Sequence, residues 1–239
     1  MILASRTSAG RQLASALARY LPADPVIVAL TPGGFRVAFE IASDLRCPLD
    51  AAAAVRLDVP GRPHSNFGAV GDGEVLLDQT AIDRLALPAA YVEASVERHA
   101  KLIAERLQAF RGANPPISLT GRSVVLVDDG LAELPILTVV ARALRSAGAV
   151  SVILATPICT TADSDSLRAL SDYLVLLSGP CEHRGLFVCD EHFLQTVDSD
   201  IPQLIERSRM CVRPLARSPF RLGARASKIP SAVTSGTPR

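Results

Sequence analysis

A chain of 239 residues, 49% hydrophobic and 21% charged, can bury an ample core within one α/β domain, which excludes wholesale disorder. Its formal net charge of +1 advertises neither nucleic acid nor an acidic partner, so nucleic-acid binding is not expected. No apolar run approaches the roughly 18 residues needed to span a bilayer, and the start, Met1 to Arg6, leads into helical sequence instead of a secretory signal; a cytoplasmic protein without a membrane partner is expected.

In chain order, residues 7–20 carry Leu13, Leu17 and Ala18 at helical spacing, and Leu21-Pro22 stops that helix. The run 26–30 has the composition of a buried parallel strand, followed by a turn at Thr31-Pro32-Gly33-Gly34 and a helix over about 35–45. Residues 49–57 read as a second strand. Residues 58–73, rich in Gly, Pro and polar side chains, read as one long mobile loop. A strand is predicted at 74–78. A long amphipathic helix is predicted over 88–110, with Val92, Val96, Leu102, Ile103 and Leu107 inward, His99 at the surface and Gly112 closing it. A strand at 124–127, a helix at 135–147 capped by Gly148, a strand at 150–157, a helix at 164–169 and a strand at 173–177 complete an alternating pattern that implies a parallel sheet. The end, residues 212–239, has six basic residues, no acids and many Ser, Pro and Gly; it is expected to be a disordered tail.

The most informative stretch is Val124-Val125-Leu126-Val127-Asp128-Asp129-Gly130. Four apolar residues predict a strand covered on both faces, and two adjacent acids at its carboxyl end stand where open α/β sheets place ligands. Paired aspartates at a strand end also serve as helix-entry residues, and Gly33-Gly34 can be simple tight-turn geometry. His64, in the predicted loop, can be a proton donor or a solvated polar residue. Five cysteines, Cys47, Cys159, Cys181, Cys189 and Cys211, are odd in number and form no CxxC pair, which argues against a disulfide framework. Cys181, His183, Cys189 and His192 are zinc-ligand types, but their spacings match no ribbon or finger.

In order and type, Val124 to Ala132 resembles the phosphoribosyl-pyrophosphate (PRPP) motif of type I phosphoribosyltransferases, where the acid pair contacts the ribose hydroxyls and the next loop wraps the 5′-phosphate. The likeness extends over roughly residues 1–205 and is nearest to phosphoribosyltransferase-like proteins of bacteria, especially actinobacteria. Arg6-Thr7-Ser8-Ala9-Gly10-Arg11-Gln12-Leu13-Ala14 is similar to the N-terminal helix signature of that group, and Asn66-Phe67-Gly68-Ala69-Val70-Gly71-Asp72-Gly73 to its flexible-loop consensus. Thr31-Pro32-Gly33-Gly34 falls where the family has Pro-Arg-Gly-Gly, the pyrophosphate loop. The resemblance implies a Rossmann-like parallel sheet flanked by helices, with a small hood around residues 179–205. It also implies catalytic Asp128 and Asp129 acting with Mg²⁺, and ligand contacts from Gly130, Ala132, Gly33, Gly34 and Arg56.

The departures from the family pattern have a physical direction. Its phosphate loop is rich in Thr, Gly and Ala, so that backbone N–H groups converge on an anion at a helix N-terminus. Here the loop reads Glu133-Leu134-Pro135-Ile136. Two like charges about 4 Å apart repel by roughly 1 kcal/mol in water and about 4 kcal/mol at an effective dielectric of 20. Pro135 has no N–H, Leu134 stands for a glycine and Ile136 for a hydroxyl. A carboxylate at a helix start suits the helix dipole, so Glu133 itself is expected in the anion site. The pyrophosphate loop lacks its arginine, a bidentate phosphate partner, with Arg36 and Arg56 the nearest substitutes. Two functions are therefore expected of such a chain. One is a family protein with PRPP-dependent transfer weakened or lost, retained to bind a nucleotide-like ligand or to regulate a protein partner, as a homodimer or otherwise. The alternative is an active Mg²⁺-dependent transferase acting on a nitrogen base.

Overall fold

The computed structural model describes residues 5–62, 65–130, 132–159, 161–178 and 200–211. The elements run α1 (Arg6–Leu17), β1 (Val26–Leu30), α2 (Thr31–Leu45), β2 (Leu49–Ala52), β3 (Ala54–Asp58), β4 (Asn66–Gly71), β5 (Val75–Leu77), α3 (Gln79–Leu85) and α4 (Ala89–Arg111). They continue with β6 (Ser123–Val127), α5 (Leu134–Ser146), β7 (Ser151–Thr156), α6 (Thr161–Leu170), β8 (Tyr173–Leu176) and α7 (Ile201–Cys211). Five strands make one parallel sheet in the order β2-β1-β6-β7-β8, and β3-β4-β5 make a small antiparallel one.

The apolar runs explain the layering. In β1, β6 and β7, Ile27, Ala29, Val125, Val127, Ile153 and Ala155 face a core shared with Leu13, Leu17, Phe35, Ile41, Ile103 and Ile205. The alternate residues, Val28, Val124, Leu126 and Leu154 among them, face a second core built on Leu137, Val140 and Leu144 of α5 and Leu167 of α6. Strands buried on both faces need no polar alternation, and each fully buried Leu, Ile or Phe contributes about 1.5–3 kcal/mol. Helix α1 packs closely on α2 because position 10 is glycine: a Cβ there would lie 2.7 Å from the Val37 carbonyl oxygen and from Glu40 Cβ.

The strand order places the site. From β1 the chain first moves to β2 on one side, and later β6 joins β1 on the other. The order therefore reverses between β1 and β6, and the loops leaving their carboxyl ends diverge to open a crevice. Gly33 and Gly34 follow β1 there, and Asp128 to Gly130 follow β6.

Several local expectations change. The Thr31-Pro32-Gly33-Gly34 turn is the first turn of α2, which starts directly after β1, and Pro in the first turn is compatible with that start. The strand expected at 49–57 is two strands in different sheets, divided at Ala53. The expected loop 58–73 contains β4, whose residues from Phe67 to Gly71 are buried between β3 and β5. Helix α3, not foreseen, is capped by Asp78, whose side chain accepts from the Ala81 N–H. Leu102, expected inward, is 49% exposed. His99, expected at the surface, is half-buried, with Nδ1 2.6 Å from the Ser95 carbonyl oxygen. Helix α7 packs on α2 and α4, burying Ile201 and Ile205, so residues 201–205 belong to the body of the fold. His64, the hood residues 179–199 with Cys181, His183, Cys189 and His192, and the tail 212–239 lie outside the described residues. Cys47 and Cys159 are buried, and burial pushes the Cys47 thiol up to about 11. Among the described residues no helix is long and apolar enough to cross a membrane.

Candidate functional site

Strand β6 delivers the two acids into the crevice. The Asp128 N–H donates to the Ala155 carbonyl at 3.1 Å, extending the ladder with β7 one residue past the strand. Gly130 then turns with φ +92°, and a Cβ there would lie 2.6 Å from Ile158 Cγ1. Only glycine combines that backbone with that clearance. The turn folds the chain back over Asp128, whose Oδ2 accepts from the Gly130 N–H at 2.8 Å and the Ala132 N–H at 3.3 Å.

Asp129 is held from another direction. Arg6, the first residue of α1, donates from Nε at 3.2 Å and Nη2 at 2.9 Å, both to Asp129 Oδ2. Gly33 lies against the same oxygen, since a Cβ at that position would sit 1.9 Å from it. Asp128 and Asp129 are 2% and 4% exposed, and the Oδ1 atom of each is buried without a hydrogen-bond partner among the described residues. Each acid thus has one oxygen fixed by hydrogen bonds from the protein. Burial, reinforced by the neighbouring Asp129 charge, pushes Asp128 up to about 7, while bonds from the Gly130, Ala132 and Asp129 backbone N–H groups pull the other way.

Glu133 precedes α5 as its N-cap, but its side chain accepts no N–H from the helix. Its Oε1 instead accepts from Arg56 Nη1 at 2.7 Å, across from β3. Arg56 is held on its other side by Asp58, through Nε at 2.6 Å and Nη2 at 3.3 Å. Two carboxylates raise the Arg56 pKa above its ordinary value, Asp58 more than Glu133. The arginine expected to compensate for the missing pyrophosphate-loop guanidinium is therefore committed to acids of the chain itself. Pro135 stands in the first turn of α5, and the Leu137 N–H donates to the Glu133 carbonyl. A small cavity beside Asp128 is lined by Gly130, Ala132, Leu134, Ile158, Cys159 and Leu167 among others.

The geometry gathers Asp128, Asp129, Gly130, Ala132 and Gly33 at the carboxyl ends of β1 and β6, while Glu133 pairs with Arg56 of β3 and Gly34 is buried in the first turn of α2. Arg6 is the functional residue that the sequence reading did not single out. A cation at the first position of a helix opposes the helix dipole, and that conflict was a legible sign of a buried acid nearby. The pair does not fit a resident Mg²⁺. Asp129 already gives one oxygen to Arg6, Asp128 gives one to the Gly130 and Ala132 amides, and among the described residues no group of three or more His, Cys, Asp or Glu gathers.

No family model matches the chain. Two proteins of Mycobacterium tuberculosis, from strains CDC 1551 / Oshkosh and ATCC 25618 / H37Rv, are each 33% identical to it over 204 residues, 85% of this chain and 46% of theirs. Their names are "Putative phosphoribosyl transferase MT0597" and "Putative phosphoribosyl transferase Rv0571c". The chain spans about half the length of these relatives. The crystal structure of TT1426 from Thermus thermophilus is 29% identical with a TM-score of 0.73, covering 87% of this chain and 99% of that one.

Proposed function

Because the chain belongs to the phosphoribosyltransferase family and has its type I fold, we propose that it keeps the family's ribose-facing acids but has lost productive use of PRPP, and serves to bind a ligand or to regulate. The observation that carries this reading is the Arg56–Glu133 pair at 2.7 Å, at the start of the helix where relatives of the motif hold a phosphate. A 5′-phosphate there meets a carboxylate, a proline without an N–H and two apolar side chains. The amides of Gly130 and Ala132, which could have served it, already bond to Asp128. The nearest guanidinium is shared between Glu133 and Asp58. A phosphate charge about 4 Å from Glu133 would be repelled by roughly 1 kcal/mol in water and at most about 4 kcal/mol at an effective dielectric of 20, and the Arg56 pairing and the 42% exposure of Glu133 keep the figure towards the lower end.

The second reading, active transfer to a nitrogen base with Mg²⁺, is favoured by one observation: Asp128 and Asp129 remain in place at the end of β6. Isothermal calorimetry separates the two. On the first reading, PRPP with Mg²⁺ gives no saturable heat at micromolar concentration; tight, Mg²⁺-dependent binding would establish the second.

A further inference from the structure

A second cavity, of about 390 Å³, lies at the far end of α5 from the crevice. Helix α5 has 13 residues and spans roughly 20 Å, and none of the cavity's lining residues belongs to the crevice. Ala51 and Ala53 at the edge of the sheet, Ile117 and Leu119 before β6, and Val140 and Leu144 of α5 make apolar walls, in a volume typical of pockets that enclose organic groups. The charges in the wall are committed to each other. Asp50 accepts from Arg111 Nε at 2.8 Å and from the Ala51 and Ile117 N–H groups at 2.8 and 2.9 Å, and Arg111 Nη2 donates to the Ala51 carbonyl at 3.2 Å. The turn between β4 and β5 adds an acidic rim: Asp72 lines the cavity, and Glu74 accepts from Ser146 Oγ at 2.6 Å. Neither acid meets a cation among the described residues. The carboxyl end of α5, at Ser146 and Ala147, lines the same opening and favours positive charge.

An apolar pocket under an acidic rim calls for an occupant that is both apolar and basic, and the chain supplies one beside the opening. Near the end of α7, Arg209 donates from Nη1 to Asn114 Oδ1 at 3.2 Å and from Nη2 to the Pro115 carbonyl at 3.0 Å, and Pro116, the next residue, lines the cavity. From there the sequence continues into residues 212–239, with six basic residues, no acid, and Leu215, Phe220 and Leu222 among the bases. The nine steps from Cys211 to Phe220 reach roughly 30 Å when extended, ample for a segment that sets out next to Pro116. We propose that residues 212–222 dock on this cavity, with the Phe220 ring inside it and Arg213, Arg217 and Arg221 towards Asp72, Glu74 and the end of α5. An aromatic ring is the largest apolar group the segment offers, and Pro214 and Pro219 lower the cost of ordering it. The short tether to α7 gives an effective concentration on the order of millimolar, so a weak intrinsic affinity fills the site.

The test uses the full chain with Phe220→benzoylphenylalanine, irradiated and mapped by peptide mass spectrometry. Crosslinks are expected on residues 51–53, 116–119 or 140–147. Ala143→Trp in the same background fills the cavity from α5 and should lower that crosslink at least fivefold. Asp72→Lys with Glu74→Lys reverses the rim and should lower it at least threefold. A mixture of unlabelled and ¹⁵N-labelled protein tells whose segment is bound, because a segment docked on its own chain gives crosslinks within one isotope only. Crosslinks confined to other faces, or none at all, overturn the proposal. So does a yield unchanged in an Ala143→Trp variant that melts cooperatively; if that variant fails to fold, the map on the parent chain still decides. Crosslinks that join light to heavy chains put a second copy's segment in the cavity and overturn it as well. The site shares no residue with the crevice, so neither result bears on the reading of PRPP use.

Discussion

Asp128→Asn is expected to stabilise the protein relative to wild type by an amount that grows as the pH rises from 5 to 7. The native carboxyl is pushed up from 3.8 to about 7 by burial and by the adjacent Asp129 charge. Between those two values the folded state holds a proton that the unfolded chain has released. Native stability therefore falls as pH rises through the window and levels off above about 7. Asparagine does not titrate, so the variant lacks this loss. Two pH units at about 1.4 kcal/mol each set a ceiling of about 3 kcal/mol on the widening between pH 5 and pH 7. Sharing of the proton with Asp129 lowers it, so a widening of about 1–3 kcal/mol is expected. Asparagine's side-chain oxygen can still accept from the Gly130 and Ala132 N–H groups, which keeps the turn intact. Urea unfolding of both proteins at pH 5, 6, 7 and 8, followed by circular dichroism, reads the difference directly. A gap that stays constant over this range, or that narrows, refutes the claim that Asp128 is a strained carboxylate.

Arg6→Ala leaves Asp129 buried without its cation, and a loss of about 3–5 kcal/mol is expected in the same unfolding experiment, with Arg6→Lys recovering part of it. Gly33→Ala drives a methyl group into Asp129 Oδ2; a loss of about 1–3 kcal/mol and a lowered melting temperature should follow. Arg56→Ala breaks a pair whose side chains are 32% and 42% exposed, so its effect on stability should stay under about 1 kcal/mol by urea unfolding.

The parallel sheet and the acids were legible because their signal is local. The run from Val124 to Val127 has no polar residue to turn outward, and Asp128-Asp129-Gly130 directly follows it, so strand, crevice and acids come from seven consecutive positions. Strand β4 was not legible, since Asn66, two glycines and an alanine carry little strand preference. What makes those residues a strand is pairing with β3 and β5, together with cover from α5. The break at Ala53 was hidden for a related reason: a move from one sheet to another leaves no mark in a continuous apolar run. Helix α3 did leave a mark, Asp78 at its N-cap, in a segment too short to show a clear period. At the site itself, Arg6 reaches Asp129 across 123 residues and Arg56 reaches Glu133 across 77. Glu133 was legible as a charge at the start of α5, but its choice of Arg56 over the amides of its own helix depends on how β3 lies beside α5, and that separation in sequence hid its partner.

The central claim is that residues 133–135 prevent the crevice from holding a phosphate. Glu133→Thr, Leu134→Gly and Pro135→Ala together remove the charge, restore an N–H and clear space for the backbone to approach an anion. Calorimetric titration of this triple variant with Mg²⁺ and PRPP, beside wild type, is the direct measurement. Saturable binding by the variant at concentrations where wild type shows none is the predicted result. A variant that unfolds cooperatively like wild type yet still ignores PRPP would contradict the account.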